Sequence, residues 1–224
     1  MSLLHSESVG QLLELAGPQA DDVLAEMEAR AEREGFPTVG PEVGRMLALC
    51  TRLTGARSVL ELGSGFGYSA YGIARALPAD GEVVLTERDE RLLDDARSYF
   101  ERGNLADRAV FECGDAVEIT SDLASDDQSF DLVVLDHDTA EYIDGFDAVR
   151  ETVPPGGTVV ADNVVATDGG LTVADLLTTL EGNPAPTDRA RFTAEYYEYV
   201  RARQEFETYV LPVGEGMAIS VRIA

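Results

Sequence analysis

Lysine is missing from this chain: its 17 basic residues are all arginine, set against 42 Asp and Glu, for a formal net charge of −25. No lysine general base is therefore available anywhere in the protein. So strong a negative balance also argues against a nucleic-acid partner, because binding a phosphate backbone draws mainly on Lys and Arg. Cysteine is nearly absent too. Cys50 and Cys113 lie in apolar stretches and read as reduced core residues rather than as a disulfide framework. No apolar run approaches the roughly 20 residues of a membrane-spanning helix, and no stretch at the N-terminus has the pattern of a secretory signal. A cytoplasmic location without membrane attachment is the expectation.

What is abundant is acid. A hydrophobic content of 45% is too high for a disordered polyelectrolyte, so the charge belongs to the surface of a folded chain. Such a surface repels itself at low ionic strength. At about 1 M salt the screening length shrinks to ~3 Å, and the pattern reads as adaptation to a high-salt cytoplasm. The plainer alternative is an acidic surface that serves solubility alone. With 224 residues the chain is expected to form one domain. Residues 1–55 would be a helical cover and 56–224 a cofactor-binding sheet core.

The most informative stretch is Val59 to Ser69, VLELGSGFGYS. An aliphatic strand runs into the turn Gly63-Ser64-Gly65-Phe66-Gly67, a helical segment follows, and a second strand ends on Glu87. In a nucleotide-type β-α-β unit the glycines admit close approach of a ligand. The acid at the second strand tip can bind ribose hydroxyls. Glu87 can equally serve the start of the helix near Asp89, and the two roles are compatible.

Strand-like runs then alternate with helical ones. Strands are expected at 58–62, 82–87, 109–113, 130–136 and 157–162, and helices at 67–77, 89–102, 116–123 and 139–151. This alternation specifies a Rossmann-like, doubly wound α/β sheet. Upstream, two short helices broken at Gly17-Pro18 fill 7–34, and Pro41 opens a third that runs to Thr54. The acidic 7–34 helices are a cover over the site or a contact in a homodimer. Asp80-Gly81, Pro154 to Gly157 and Asp168-Gly169-Gly170 punctuate turns. Past Asn163 come a helix at 172–181, a polar stretch from Gly182 to Thr187 and a tyrosine-rich amphipathic segment to Arg203. Strands at 206–212 and 216–223 then form an antiparallel hairpin on the sheet edge.

Asp136 closes the fourth strand and Asp162 the fifth, with Asn163 next in sequence. Adjacent strands lie ~5 Å apart, so two carboxylates and an amide oxygen converge beside the glycine turn. Such hard oxygen donors suit Mg²⁺ or Ca²⁺. The alternative is that these acids only solvate the sheet edge.

The stretches LELGSGFGYSA, CGDA, VVLDHDTAEY, GGTVVADNV and EFETYVLPVGEGMAIS, in this order, resemble the metal-dependent class I O-methyltransferases, the group of the catechol and caffeoyl-CoA enzymes. The likeness runs from about Phe36 to the C-terminus. It implies a seven-stranded mixed sheet, S-adenosylmethionine as cofactor, a divalent metal that is usually Mg²⁺, and a small hydroxylated acceptor. By position it places Gly63 and Gly65 against the methionyl part of the cofactor. Val39 and Ser69 would hold its amino and carboxylate groups, and Glu61 belongs to the same contact set. Glu87 would take the ribose hydroxyls. Asp115 and Ala116 would meet the adenine, with His137 packed near it. Asp136, Asp162 and Asn163 would hold the metal, Asp136 serving catalysis and cofactor binding as well.

One position departs from the family. Its D-x-x-K lysine, which assists deprotonation of the acceptor, is replaced by Thr139. A hydroxyl is no general base at neutral pH, and the expectation is that Thr139 merely caps the next helix. A cofactor-binding protein without transfer activity is the rival this substitution raises. A tRNA-hydroxyuridine methyltransferase on the same fold is disfavoured by the charge. A nicotinamide dehydrogenase leaves Asp136, Asp162 and Asn163 unexplained. Tyr196, Tyr197 and Tyr199 would be an aromatic wall for a planar acceptor or, more simply, the packed face of a helix.

Overall fold

The computed structural model describes residues 7–125, 128–167 and 170–224. Asp168 and Gly169 of the expected turn lie outside them. Three helices come first: α1 (Glu7–Ala16), α2 (Asp22–Glu34) and α3 (Gly40–Thr54). The alternating region holds β1 (Ser58–Leu62), α4 (Tyr68–Ala76), β2 (Glu82–Glu87), α5 (Glu90–Arg102), β3 (Ala109–Cys113), α6 (Ala116–Ser125), β4 (Leu132–Leu135), α7 (Tyr142–Val149) and β5 (Thr158–Ala161). Helices α8 (Val173–Leu180) and α9 (Asp188–Arg201) and the hairpin β6 (Phe206–Leu211) and β7 (Met217–Arg222) complete it.

The sheet order is β3-β2-β1-β4-β5-β7-β6. Strands β1 to β5 are parallel, and β7 pairs antiparallel with both β5 and β6. The expected Rossmann-like seven-stranded mixed sheet with an antiparallel C-terminal hairpin is what forms. The chain winds outward from β1 to β3, then returns to lay β4 on the other side of β1. The carboxyl ends of β1 and β4 therefore border the crevice where ligands bind in such folds.

Strands β1, β2, β4 and β5 are apolar almost throughout because both faces are covered. Val59, Leu85, Leu132 and Val134 point to one face, into a core shared with α2 to α5. Leu60, Val84, Val133 and Leu135 point to the other, among α6 to α9. Fully burying each such side chain contributes about 1.5–3 kcal/mol. The tyrosines of α9 belong to this second core. Tyr196 is fully buried with its ring 5.7 Å from that of Tyr142, and the Tyr197 hydroxyl donates to the Val164 carbonyl at 2.8 Å. Tyr199 packs its ring edge-on to Phe146. The packed-helix reading holds, and the aromatic wall does not form.

The acidic helix α2 lies over α4 and α5, with its Arg30 guanidinium 4.8 Å from the ring of Phe66 in the glycine turn. Glu28 accepts from the Tyr68 hydroxyl at 2.8 Å, Asp21 from that of Tyr71 at 3.1 Å, and Arg30 pairs with Asp95 at 2.7 Å. Cys50 and Cys113 are free thiols, but Cys113 is exposed and not a core residue. It ends β3, the outermost parallel strand, where only one neighbour covers it. Among the described residues no helix is long and apolar enough to cross a membrane.

Candidate active site

A cavity of about 650 Å³ opens at the carboxyl edge of the sheet, within the range of small-molecule sites. One wall is the turn after β1. The amides of Gly63 and Ser64 donate to the Thr86 carbonyl at 3.2 and 3.0 Å, tying the turn to β2. Glu87 straps it from the next strand tip, one carboxylate oxygen accepting from the Gly65 amide and the other from the Asp89 amide, both at 3.0 Å. Helix α5 itself is capped by the Asp89 side chain, which accepts from the Arg91 amide. Each Glu87 oxygen keeps a second lone pair. The strand-tip acid is thus pre-oriented, and it lines the cavity together with Val39, Gly63, Gly65, Ser69, Ala116 and His137.

Two other expected cofactor contacts sit differently. Glu61 is fully buried beneath the turn, outside the cavity lining. Ser69 and the Ala70 amide lie near enough to favour its charge, yet neither carboxylate oxygen has a hydrogen-bond partner of normal geometry among the described residues. Burial first, and then the Glu87 charge, push Glu61 up to about 7 against those two donors. Asp115 caps α6 by accepting from the Val117 and Glu118 amides and pairs with Arg88 at 2.6 Å. Those amides and Arg88 hold it below the usual carboxylate range.

The adjoining wall is the end of β4 and β5. Asp136 shows part of its surface to the cavity, but protein surrounds its carboxyl group. Burial, then the charges of Asp162 and Glu61, raise it well above the usual value. The Asn163 side-chain amide donates to Asp136 at 3.1 Å. Asn163 has φ +61, one of two non-glycine residues with positive φ among the described residues; asparagine tolerates this conformation better than most residues. The bend turns the chain off β5 towards the hairpin. Asp162 lies behind, 2% exposed, one carboxylate oxygen without a partner among the described residues, and burial raises it as well. Its carbonyl accepts from the Tyr142 hydroxyl at 3.0 Å.

These three residues fit a hard divalent cation. Two carboxyl groups that burial and mutual repulsion drive towards protonation, joined by an amide, make a donor set a cation would satisfy. Among the described residues no group of three or more His, Cys, Asp or Glu side chains forms such a set; here the third donor is the amide.

His137 has its ring 5.2 Å from that of Tyr142 and its Nε2 3.2 Å from the Glu141 carbonyl. Burial lowers its pKa against the pull of that carbonyl. As a neutral ring donating from Nε2, it presents Nδ1 as a buried acceptor without a donor among the described residues.

Thr139 corrects an expectation. It is buried, opens a single 3₁₀ turn at Thr139–Glu141, and is not part of the cavity lining. The cap is Asp138, which accepts from the Ala140 amide at 3.0 Å. Asp138 wins because its short carboxylate precedes the turn in extended backbone, the conformation an N-cap requires.

Sequence reasoning passed over Arg189 and Glu215, both in the lining. Arg189 opens α9 and lowers the pKa of Asp136, whereas Glu215, in the hairpin turn, raises those of Asp136 and Asp162.

The O-methyltransferase family model matches residues 20–223. A catechol O-methyltransferase of Niastella koreensis is 33% identical over 163 residues, 71% of this chain and 73% of that protein. Caffeoyl-CoA O-methyltransferase 1 of Eucalyptus globulus is 25% identical over all of this chain and 92% of its own length. Among solved structures, a Bacillus cereus O-methyltransferase in complex with SAH superposes with a TM-score of 0.83 at 26% identity, over 96% of this chain and 97% of that one. TomG from Streptomyces achromogenes, an O-methyltransferase involved in tomaymycin synthesis and solved with SAM, shares the fold at a TM-score of 0.85 and 23% identity over the full length of both chains. Fold, cavity and profile agree: this chain belongs to the O-methyltransferase family.

Proposed function

We propose that the protein moves a methyl group from S-adenosylmethionine to a hydroxyl of a small hydroxylated aromatic acceptor of the catechol type. The observation that carries this reading is that the Gly63–Gly67 turn with Glu87, and the Asp136–Asn163 pair, line one cavity side by side. A nucleoside-bearing cofactor and a metal-bound acceptor would then meet between them.

The bound cofactor would supply an electrophilic sulfonium methyl, which the acceptor oxygen would take while its proton passed to solvent and S-adenosylhomocysteine was released. Glu87 fixes the ribose from a carboxylate already held by the Gly65 and Asp89 amides. His137 would close the adenine side, with Val39 and Ser69 at the methionyl end; all three line the cavity. Asp136, Asp162 and Asn163 would hold a divalent metal, Mg²⁺ by preference, which would lower the pKa of the acceptor hydroxyl. The remaining contribution is positioning of the two reactants. The acidic surface and the absence of lysine support action in a high-salt cytoplasm.

A second reading is favoured by one observation. Thr139 is buried where the resembling family has a lysine, so a cofactor-binding protein without transfer activity is the alternative. Labelled-methyl transfer to a panel of catechols in molar KCl, with and without Mg²⁺, separates the two. Calorimetry comes first, with Glu87→Ala expected to weaken cofactor binding at least about tenfold, the worth of one lost charge-assisted pair. Binding without turnover on any acceptor selects the second reading, and unchanged affinity in Glu87→Ala removes the cofactor from this turn.

A further inference from the structure

The position that carries a lysine in the resembling family is closed here. Thr139 is buried and points no group into the cavity lining, and no lysine exists elsewhere in the chain to reach in. The space that an acceptor would enter is nonetheless strongly acidic. Asp136 after β4, Asp162 and Asn163 after β5, and Glu215 in the hairpin turn all bear on it. A departing proton leaves a second negative charge in that field, and a single bound cation would have to hold the carboxylates and the new oxyanion together.

Two side chains in the cavity wall are positively charged. Arg88 is already committed, at 2.6 Å from Asp115 and 3.1 Å from Glu141. Arg189 is different. It makes no ion pair with a carboxylate among the described residues, and its Nε is buried without a hydrogen-bond partner among them. Its backbone is fixed rather than loose. Thr187 caps α9 by accepting from the Ala190 amide at 3.1 Å and donates its own hydroxyl to the Gly170 carbonyl at 3.3 Å, and Ala190 is fully buried. A guanidinium presents five donors in a rigid fork. Arg189 therefore faces the Asp136 side of the cavity with donor capacity to spare, at the cost of leaving a buried N–H unmatched until something accepts it.

We infer that Arg189 is a catalytic residue of this enzyme: its guanidinium receives the ionised oxygen of the acceptor, supplying from α9 the fixed positive charge that residue 139 cannot. This rests on the methyl-transfer reading above. A guanidinium does not take up the proton, because it remains protonated across the working range of proteins. The proton of the acceptor hydroxyl goes to solvent, the oxygen keeps the electron pair, and Arg189 stabilises that charge before and during its attack on the methyl group.

The test uses 4-nitrocatechol, whose ionisation changes its visible absorbance, bound to the full chain with saturating Mg²⁺ and S-adenosylhomocysteine so that no turnover occurs. The pH midpoint of the bound nitrocatechol is read in the wild type, Arg189→Gln and Arg189→Lys. Arg189→Gln should raise the midpoint by about one pH unit and lower kcat for catechol about tenfold with little change in KM, as expected for one lost charge contact. Arg189→Lys should restore most of both. S-adenosylhomocysteine affinity by calorimetry should be the same in all three. An unchanged midpoint in Arg189→Gln overturns the inference and leaves the methyl-transfer reading standing. So does a loss confined to KM for carboxylate-bearing acceptors, which would make Arg189 an anchor for the acceptor's acid group. A wild type that does not bind nitrocatechol at all overturns both.

Discussion

Gly63 touches the main chain of Asp136. A Cβ on residue 63 would lie 2.6 Å from the Asp136 carbonyl oxygen and 2.9 Å from the His137 Cα, in a backbone with φ +88. The first glycine of the turn is thus required by the protein itself, since β1 and β4 converge here and no side chain fits between them. The glycine-turn wall and the Asp136–Asn163 wall share this contact.

Gly63→Ala should therefore cost more than conformational strain alone. A left-handed alanine costs about 1–2 kcal/mol, and displacing a neighbouring backbone adds more, for a total of roughly 2–4 kcal/mol. Gly156 is the internal control: its φ is +87, but nothing lies within 4 Å of its would-be Cβ. Urea unfolding of both variants should place Gly63→Ala well below Gly156→Ala. Equal losses would mean that the β1–β4 approach relaxes freely.

Glu61 makes stability depend on pH. Burial raises it from the ordinary 4.5 to about 7. The folded protein therefore holds this proton between those values while the unfolded chain does not. Its contribution is fully present below about pH 4.5 and is lost as pH rises through about 7. The loss for this one group is on the order of 3 kcal/mol. Melting temperature without added metal should fall between pH 5 and 8, and Glu61→Gln should flatten that fall. A Glu61→Gln profile parallel to the wild type would show that the carboxyl is ionised in the native state at acidic pH too.

Much of this arrangement was legible in the sequence, for physical reasons that also mark where legibility stops. The runs VVL, LVVL and TVV specify strands covered on both faces, and the structure pairs each of them within the parallel sheet. Glu87 at a strand tip, and the Asp136, Asp162 and Asn163 set, follow from where such strands end. The helix expected at 139–151 instead begins as a 3₁₀ turn, because Asp138 rather than Thr139 supplies the cap. Cys113 reads as core by its apolar neighbours, yet it ends the outermost parallel strand and is exposed. Arg189 and Glu215 are local nowhere. Gly216 has φ +100, with its would-be Cβ 2.2 Å from Val165 Cβ, so the hairpin turn clamps the segment after β5. That closure, across some fifty residues, brings Glu215 to the site, and no periodicity announces it.

High salt should stabilise the fold. The 42 acids outnumber the 17 arginines by 42 − 17 = 25, so most carboxylates have no cation to meet. The ion pairs that do form, such as Arg97–Asp94 and Arg191–Asp188, are exposed and individually worth little. Screening of the remaining repulsion should raise the melting midpoint by at least about 5 °C between 0.1 and 2 M KCl, roughly 2 kcal/mol for a chain of this size. Sulfate also strengthens apolar burial, so the effect must appear in chloride. A midpoint that does not rise in KCl would leave the acidic surface with no role in salt tolerance.

The proposed metal site at Asp136, Asp162 and Asn163 predicts a trade between stability and function. Asp136 and Asp162 are buried, repel one another, and are both raised by burial. Without a cation this pair is a cost to the fold, and the strained Asn163, with φ +61, adds to it. Asp162→Asn removes one of the two charges and keeps the shape. In the presence of chelator at pH 8 it should be more stable than the wild type, by about 1–2 kcal/mol, in line with the relief of an uncompensated buried carboxylate. Added Mg²⁺ should raise the wild-type melting midpoint, since a ligand of the folded state stabilises it in proportion to the logarithm of its saturation. It should do little for Asp162→Asn. Methyl transfer should fall in the same variant while S-adenosylhomocysteine affinity is kept, because the Glu87 wall is untouched. If Asp162→Asn is instead less stable than the wild type in chelator, the buried pair is already satisfied within the protein, and these carboxylates are structural rather than a place for a cation.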